Sequence, residues 1–397
     1  MSSVIAERLL AARAHAPIVL DSPMPLEEVP TPALLLDEGA LARNIERMTQ
    51  HLRAHGKLAR PHAKTHKCPT IARLQLDAGA TGICVAKVSE GWALYHGGIA
   101  PLLITSPVAT ADKAQAVARL AAASPGLTVA VDSAMGADAL SAAASEHGVA
   151  LNVVIDLDPR MGRTGVREPA DVLTLAERIG RLPRLCLTGV QHYAGHVMHV
   201  TGFDERRARS LAHWERASAV CDALRERGFP VDIVSGGGTG TYDIDCDVAA
   251  VTDLQVGSYI FMDRQYADIG GRHGAVFDDF ESSLSVATTA ISQPAPGAVT
   301  LDCGYKGMAS DAGAPVARAP QSGGAVPGVV DAQFRFAGDE HGVLVLPKGH
   351  QEPMLGRRLE LFPSHCDPTV NLYDHYWVHR EGRVHALWPI TARGCSW

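Results

Sequence analysis

The chain has 397 residues, 46% hydrophobic and 20% charged. That is length for two or three domains of roughly 100–200 residues and a core that needs no disulfide staples. A net charge of −7 excludes the basic surplus of a nucleic-acid binder, and no apolar run reaches the roughly 18 residues that span a bilayer.

The apolar start of the N-terminus is broken at Glu7 and Arg8, before a secretory core can form. The eight cysteines are scattered, with no CxxC, which reads as reduced thiols in a cytoplasmic protein. Residues 1–28 read as an extension that packs on the C-terminal domain. From Pro32 to Asp263 two textures then alternate. Apolar runs such as Ala33–Leu36, Gly82–Val85, Leu102–Ile104, Leu127–Val131, Val153–Ile155, Leu187–Val190 and Val231–Val234 read as strands buried on both faces. Between them lie amphipathic stretches. Leu41, Ile45, Met48 and Leu52 share one helix face ahead of Gly56; Leu211, Trp214, Cys221 and Leu224 share another ahead of Gly228. The pattern predicts an α/β architecture, a (β/α)8 barrel over residues 29–278, in preference to a doubly wound open sheet.

Four segments inside this region follow predicted strands and carry chemistry. In Arg60-Pro61-His62-Ala63-Lys64-Thr65-His66-Lys67, Lys64 stands among cationic neighbours that would lower its pKa and make it an amine nucleophile; the alternative is a solvated basic loop. In Asp156–Val166, Arg163 stands at the barrel mouth, with a structural salt bridge as the plain alternative. His192, His196 and His199 surround Tyr193, but without the Glu of HExxH they read as one acid/base group with supporting neighbours rather than a metal site. Ser235–Gly240 is a glycine loop after a strand, suited to a phosphate or simply a tight turn, and Gly257-Ser258-Tyr259 offers a second set of amides where barrels usually hold phosphate.

After about Asp279 no long helical pattern appears. Leu284–Thr289, Val299–Asp302, Val343–Leu346 and Tyr376–His379 read as strands, Glu381-Gly382 as a hairpin turn, and 313–328 as a loop. Residues 279–397 are therefore expected to form an all-β domain. There, Ser364–Thr369 reads as a strand on which His365 and Asp367 point to one face and Cys366 to the other. The pair suits Mn²⁺, Mg²⁺ or Zn²⁺, or else a mutual hydrogen bond.

Taken together, five motifs resemble the fold-type III, alanine-racemase-like enzymes that use pyridoxal 5'-phosphate (PLP), in the D-threonine aldolase / D-serine dehydratase-like branch. They are Pro61–Lys67, Gly236–Gly240, Gly257–Asp263, Asp339–Gly342 and Ser364–Thr369. The resemblance runs from Thr31 to Gly394. It implies that Lys64 carries PLP as a Schiff base, that Arg163 faces the pyridine nitrogen, and that Tyr193 lies beside the ring. Gly238, Thr239, Gly257, Ser258 and Tyr259 would cradle the phosphate, His199 would be the catalytic base, and His365 and Asp367 would bind a divalent metal, Mn²⁺ first, with Mg²⁺, Co²⁺ or Zn²⁺ as alternatives. It also implies a homodimer with active sites near the subunit interface. Ala86 departs from relatives that carry Gln there.

The chemistry that the resemblance implies is a division of labour. An arginine at the ring nitrogen donates a hydrogen bond but cannot give up its proton, so the electron sink is weak. A metal that acidifies the substrate β-hydroxyl supplies help at the other end of the breaking bond. The expectation is a carbon–carbon lyase cleaving D-β-hydroxy-α-amino acids of the D-threonine or D-phenylserine type to glycine and an aldehyde. 3-Hydroxy-D-aspartate aldolase and a D-serine or 3-hydroxyaspartate dehydratase are the alternatives. His-x-Asp, in place of the His-x-Cys common among dehydratases, favours cleavage. A non-catalytic PLP-binding protein would lack residues 279–397.

Overall fold

The computed structural model describes residues 7, 10–11, 13–319, 331–350 and 353–397. The chain divides into two compact units. One comprises Glu46–Gly257 with the described residues up to His15 and Gly394–Trp397; the other comprises Ala16–Ile45 and Ser258–Arg393.

The first unit is an eight-stranded parallel sheet in the order Leu58–Ala59, Asp253–Leu254, Ile233–Gly236, Leu185–His192, Leu151–Asp156, Thr128–Val131, Leu102–Ile104 and Ile83–Val85. A parallel bridge from His62 to Cys84 joins the last strand back to the first and closes the barrel. Ile83, Cys84, Val85, Val153, Val154 and Ile155 have no exposed surface, as strands covered on both faces require. The covering helices start where the sequence supplies a cap. Thr110 and Ser133 accept the backbone N–H of Lys113 and Gly136, and Pro69 and Pro169 open their helices at the first turn, where no N–H is needed. Strands Leu58–Ala59 and Asp253–Leu254 are two residues long, too short to show a period.

The second unit is a sheet running Ile18–Pro25, Arg383–Pro389, His375–Arg380, Ala33–Asp37, Leu284–Ala295, Ala298–Leu301, Gly342–Val345 and Gln333–Phe336, with Val316–Arg318 and Arg358–Phe362 joined to its side. Glu381 and Gly382 both have positive φ and close the predicted hairpin. Leu26, Val29, Ala33, Leu35, Ala287 and Val384 form one core cluster, with Trp377 packed against it.

Three expectations change. The run Ala33–Asp37 is not a barrel strand; it pairs antiparallel with Leu284–Ala287 and parallel with Trp377–His379. Compact packing therefore assigns 29–45 and 258–278 to the β unit rather than to the barrel. Within 313–328, Val316–Arg318 is a strand, and residues 320–330 lie outside the described residues. The segment after His365 is not a strand: Cys366–Val370 is a short helix with His365 at its N-cap, and Pro368 sits in its first turn, where a missing N–H costs nothing. Among the described residues no helix is long and apolar enough to cross a membrane, and all eight cysteines are free.

Candidate active site

Every residue from Ala59 to Pro69 is buried except Lys64, which is half-exposed. The motif is thus no solvated basic loop. It is a packed strand end that presents one amine. The cationic neighbours are arranged differently from the sequence expectation. Lys67 is ion-paired to the buried carboxylate of Glu90. His62 is buried and neutral: desolvation first, then the charges of Lys64, Lys67, His66 and Arg163, hold its pKa well below the usual imidazole value. Its Nδ1 accepts the Lys64 backbone N–H, so the proton sits on Nε2 and faces Thr105 Oγ1.

Lys64, Arg163 and Tyr193 come together. The Lys64 amine stands 5.7 Å and the Arg163 guanidinium carbon 5.4 Å from the Tyr193 ring centre. The salt bridge in the Arg163 loop is made instead by Arg167, to Asp158 at 2.7 Å. Asp158 also accepts the N–H groups of Met161 and Gly162 and so shapes the turn that presents Arg163.

The glycine loop leads off strand Ile233–Gly236. A Cβ on Gly238 would stand 2.8 Å from Met198 Sδ and 3.5 Å from Tyr193 Cε2, so the backbone approaches the tyrosine closely only because the residue is glycine. Thr239 is buried. A Cβ on Gly257 would meet Thr65 Oγ1 at 2.7 Å, and that hydroxyl is buried with no hydrogen bond among the described residues. A bare cradle beside an orphaned hydroxyl and a presented lysine fits a phosphorylated aldehyde cofactor. Ser258 and Tyr259 are buried in the other unit, in the turn Ser258–Ile260, with the Tyr259 ring 5.6 Å from Phe280.

The histidine trio separates. His192 is buried, which lowers its pKa to about 4. His196 is exposed and 3.1 Å from His213. His199 is exposed, one residue after buried Met198. Among the described residues the three do not converge on one ion.

In the β unit, partly exposed His365 and Asp367 flank buried Cys366. The alternation comes from the helix N-terminus rather than from a strand. Asp263 fixes it by accepting the Cys366 and Tyr266 N–H groups. His365 does have a carboxylate partner, but it is Asp311, 2.6 Å from Nδ1. A histidine held this way keeps Nε2 for a cation, the usual support of a ligating imidazole. A nitrogen and carboxylate donor set fits Mn²⁺, Mg²⁺, Co²⁺ or Zn²⁺.

Sequence reasoning missed Asp311 and Thr65, and it missed the polar barrel interior. There Gln191 bonds Asp156 and the Thr105 carbonyl, Gln255 bonds Gln191 and Ser235, and Arg60 pairs with Asp253 at 3.0 Å. A Gln or Ser at a barrel-facing position inside an apolar strand was the available signal.

The alanine racemase N-terminal domain family matches residues 36–265, and a serine dehydratase domain family matches 283–379. The chain is 38% identical over 372 residues to a D-threonine aldolase of Arthrobacter sp, covering 94% of this chain and 95% of that one. It is 36% identical over 370 residues to a 3-hydroxy-D-aspartate aldolase of Paracoccus denitrificans, covering 92% and 93%. The crystal structure of D-threonine aldolase from Filomicrobium marinum superposes with a TM-score of 0.88 at 34% identity, covering 97% of this chain and all of that one. The chain therefore belongs to the fold-type III, alanine-racemase-like PLP enzymes, in the branch of the D-threonine and 3-hydroxy-D-aspartate aldolases, and is a carbon–carbon lyase by class.

Proposed function

We propose that this protein cleaves the Cα–Cβ bond of D-β-hydroxy-α-amino acids, of the D-threonine and D-phenylserine type, to glycine and an aldehyde. The observation that carries the reading is the packed strand end presenting Lys64 alone, with Tyr193 and Arg163 gathered around it. Lys64 would hold PLP covalently through its amine. Arg163 would donate to the pyridine nitrogen without surrendering its proton. The Tyr193 ring would stand against the cofactor ring, and Gly238, Thr239, Gly257, Ser258 and Tyr259 would bind the phosphate. Bound PLP supplies an electron sink for the pair released at Cα. His365 and Asp367 would hold a divalent ion, Mn²⁺ in the first instance, whose contribution is to acidify the β-hydroxyl. His199 would accept that hydroxyl proton on its imidazole as the carbon–carbon bond breaks.

The test is product analysis. Holoenzyme with PLP and Mn²⁺ is offered D-threonine, D-phenylserine, D-serine and 3-hydroxy-D-aspartate, and glycine and ammonia are both measured. Glycine in excess from D-threonine and D-phenylserine supports the proposal. The second reading, action on 3-hydroxy-D-aspartate, is favoured by the Paracoccus relative, and preference for that substrate would select it. Ammonia as the main product would make the enzyme a dehydratase. We further propose a cytoplasmic homodimer, which light scattering in solution would test against a monomer.

A further inference from the structure

On the barrel unit, distinct from Lys64 and from the His365–Asp367 pair, lies a second set of metal-type donors. His51 and His55 are four residues apart, at the end of helix Glu38–Ala54 and just beyond it, so both rings fall on one side. Their centroids are 4.5 Å apart. Cys246 follows the short helix Tyr242–Asp245, with its Sγ 3.4 Å from His51 Nε2. Asp247 comes next, its Oδ1 3.8 Å from His55 Nε2. One ligand atom from each of His51, His55 and Cys246 falls within a 4.8 Å group. A tetrahedral zinc, with bonds of about 2.0–2.1 Å to nitrogen and 2.3 Å to sulfur, sets its ligands roughly 3.5 Å apart. The His51–Cys246 and His55–Asp247 distances of 3.4 and 3.8 Å are close to that separation.

The second layer supports the same reading. His55 Nδ1 is 2.8 Å from the His51 carbonyl, which fixes the tautomer that leaves the Nε2 lone pair outward. Tyr242 packs edge-on to His51 at 4.8 Å and holds its ring. Asp243 and Asp247 place negative charge beside Cys246. Lys57 opposes a cation here, but its ammonium is tied to the carbonyls of Val248 and Val251. His55 and Asp247 are exposed, so an ion has a way in.

We propose that His51, His55, Cys246 and Asp247 bind one zinc-type divalent ion, which clamps the end of the first barrel helix to the segment leading into strand Asp253–Leu254. Coordination would release the Cys246 thiol proton to solvent and leave the ion redox-inert. The donor set, with one thiolate and two imidazoles, selects a softer ion than His365 and Asp367 do. The site would be structural, since the strand ends that lead to Lys64 lie beyond it.

Cobalt tests this. PLP-loaded protein is stripped of metal, dialysed and titrated with Co²⁺ alone, reading the intense red-region absorption of tetrahedral cobalt. Wild type and Asp367→Asn should both show it at the intensity of one tetrahedral cobalt per chain, and Zn²⁺ should abolish it. Cys246→Ser should lose it and bind one zinc fewer while keeping turnover. Should Cys246→Ser fold poorly, iodoacetamide labelling of wild type decides: Zn²⁺ should slow alkylation of Cys246, and His55→Gln should remove that protection. Absence of the band from wild type, its survival in Cys246→Ser, or labelling of Cys246 indifferent to zinc overturns the proposal.

Discussion

The backbone N–H of Lys64 donates to Nδ1 of His62 at 3.3 Å. Through that bond a buried, neutral imidazole fixes the backbone that presents the amine, and its Nε2 is fixed in turn by Thr105. His62 is thus a positioning residue, and its neutrality keeps a second cation away from Lys64. His62→Leu would leave the Thr105 hydroxyl short of a partner and should cost about 1–3 kcal/mol of apo-protein stability. It should also weaken PLP binding, measured by fluorescence titration of the apo-protein. Unchanged PLP affinity would remove His62 from the positioning role.

Glu90 joins two parts of the site. It pairs with Lys67 and accepts the N–H groups of Ala86 and Lys87. Breaking a buried ion pair by removing one charge costs about 3–5 kcal/mol, because the other charge is left uncompensated. Glu90→Gln should lower stability by that amount in urea denaturation. The double variant Lys67→Met, Glu90→Gln should recover much of it.

Asp156 ends its barrel strand under Gln191 and Thr164, and burial raises its pKa to about 6. The folded state then holds a proton that the unfolded chain has shed. Its contribution to stability is full below about pH 4 and is lost as the pH rises through about 6. A shift near two units corresponds to about 3 kcal/mol. Asp156→Asn should therefore gain about that much on wild type between pH 4 and pH 7 in the apo-protein. A pH-independent difference would contradict the assignment.

His199 is the proposed base, and His196, 3.1 Å from His213, is not. Loss of a general base costs about 10²–10⁴ in turnover. His199→Ala should fall in that range for glycine release, with His196→Ala close to wild type. The reverse order would move the base to His196.

The barrel, the glycine loop and the lysine motif could be read from the sequence because each is local: an apolar run, then a turn, then a reactive residue. What escaped the sequence is long-range. Lys67 meets Glu90 across 23 residues and His365 meets Asp311 across 54, and neither carries a local signature. Ala33–Leu36 reads as a barrel strand because an apolar run looks alike in a barrel and in an antiparallel sheet; only the pairing with Leu284–Ala287 decides. At His365–Asp367 the two donors are partly exposed around a buried Cys366, as the same-face reading implies, but the element is a helix start rather than a strand, since Asp-Pro in a first helical turn outweighs alternation over three residues.

The account stands on cleavage of a D-β-hydroxy amino acid that needs both PLP on Lys64 and a divalent ion. The most direct measurement is glycine, acetaldehyde and ammonia release from D-threonine by PLP-loaded enzyme, first exhaustively chelated and then given Mn²⁺. The account predicts no glycine and retained PLP after chelation, and equal glycine and acetaldehyde with no ammonia once Mn²⁺ returns. Full glycine release from the chelated enzyme, or ammonia in place of glycine after Mn²⁺, would contradict it.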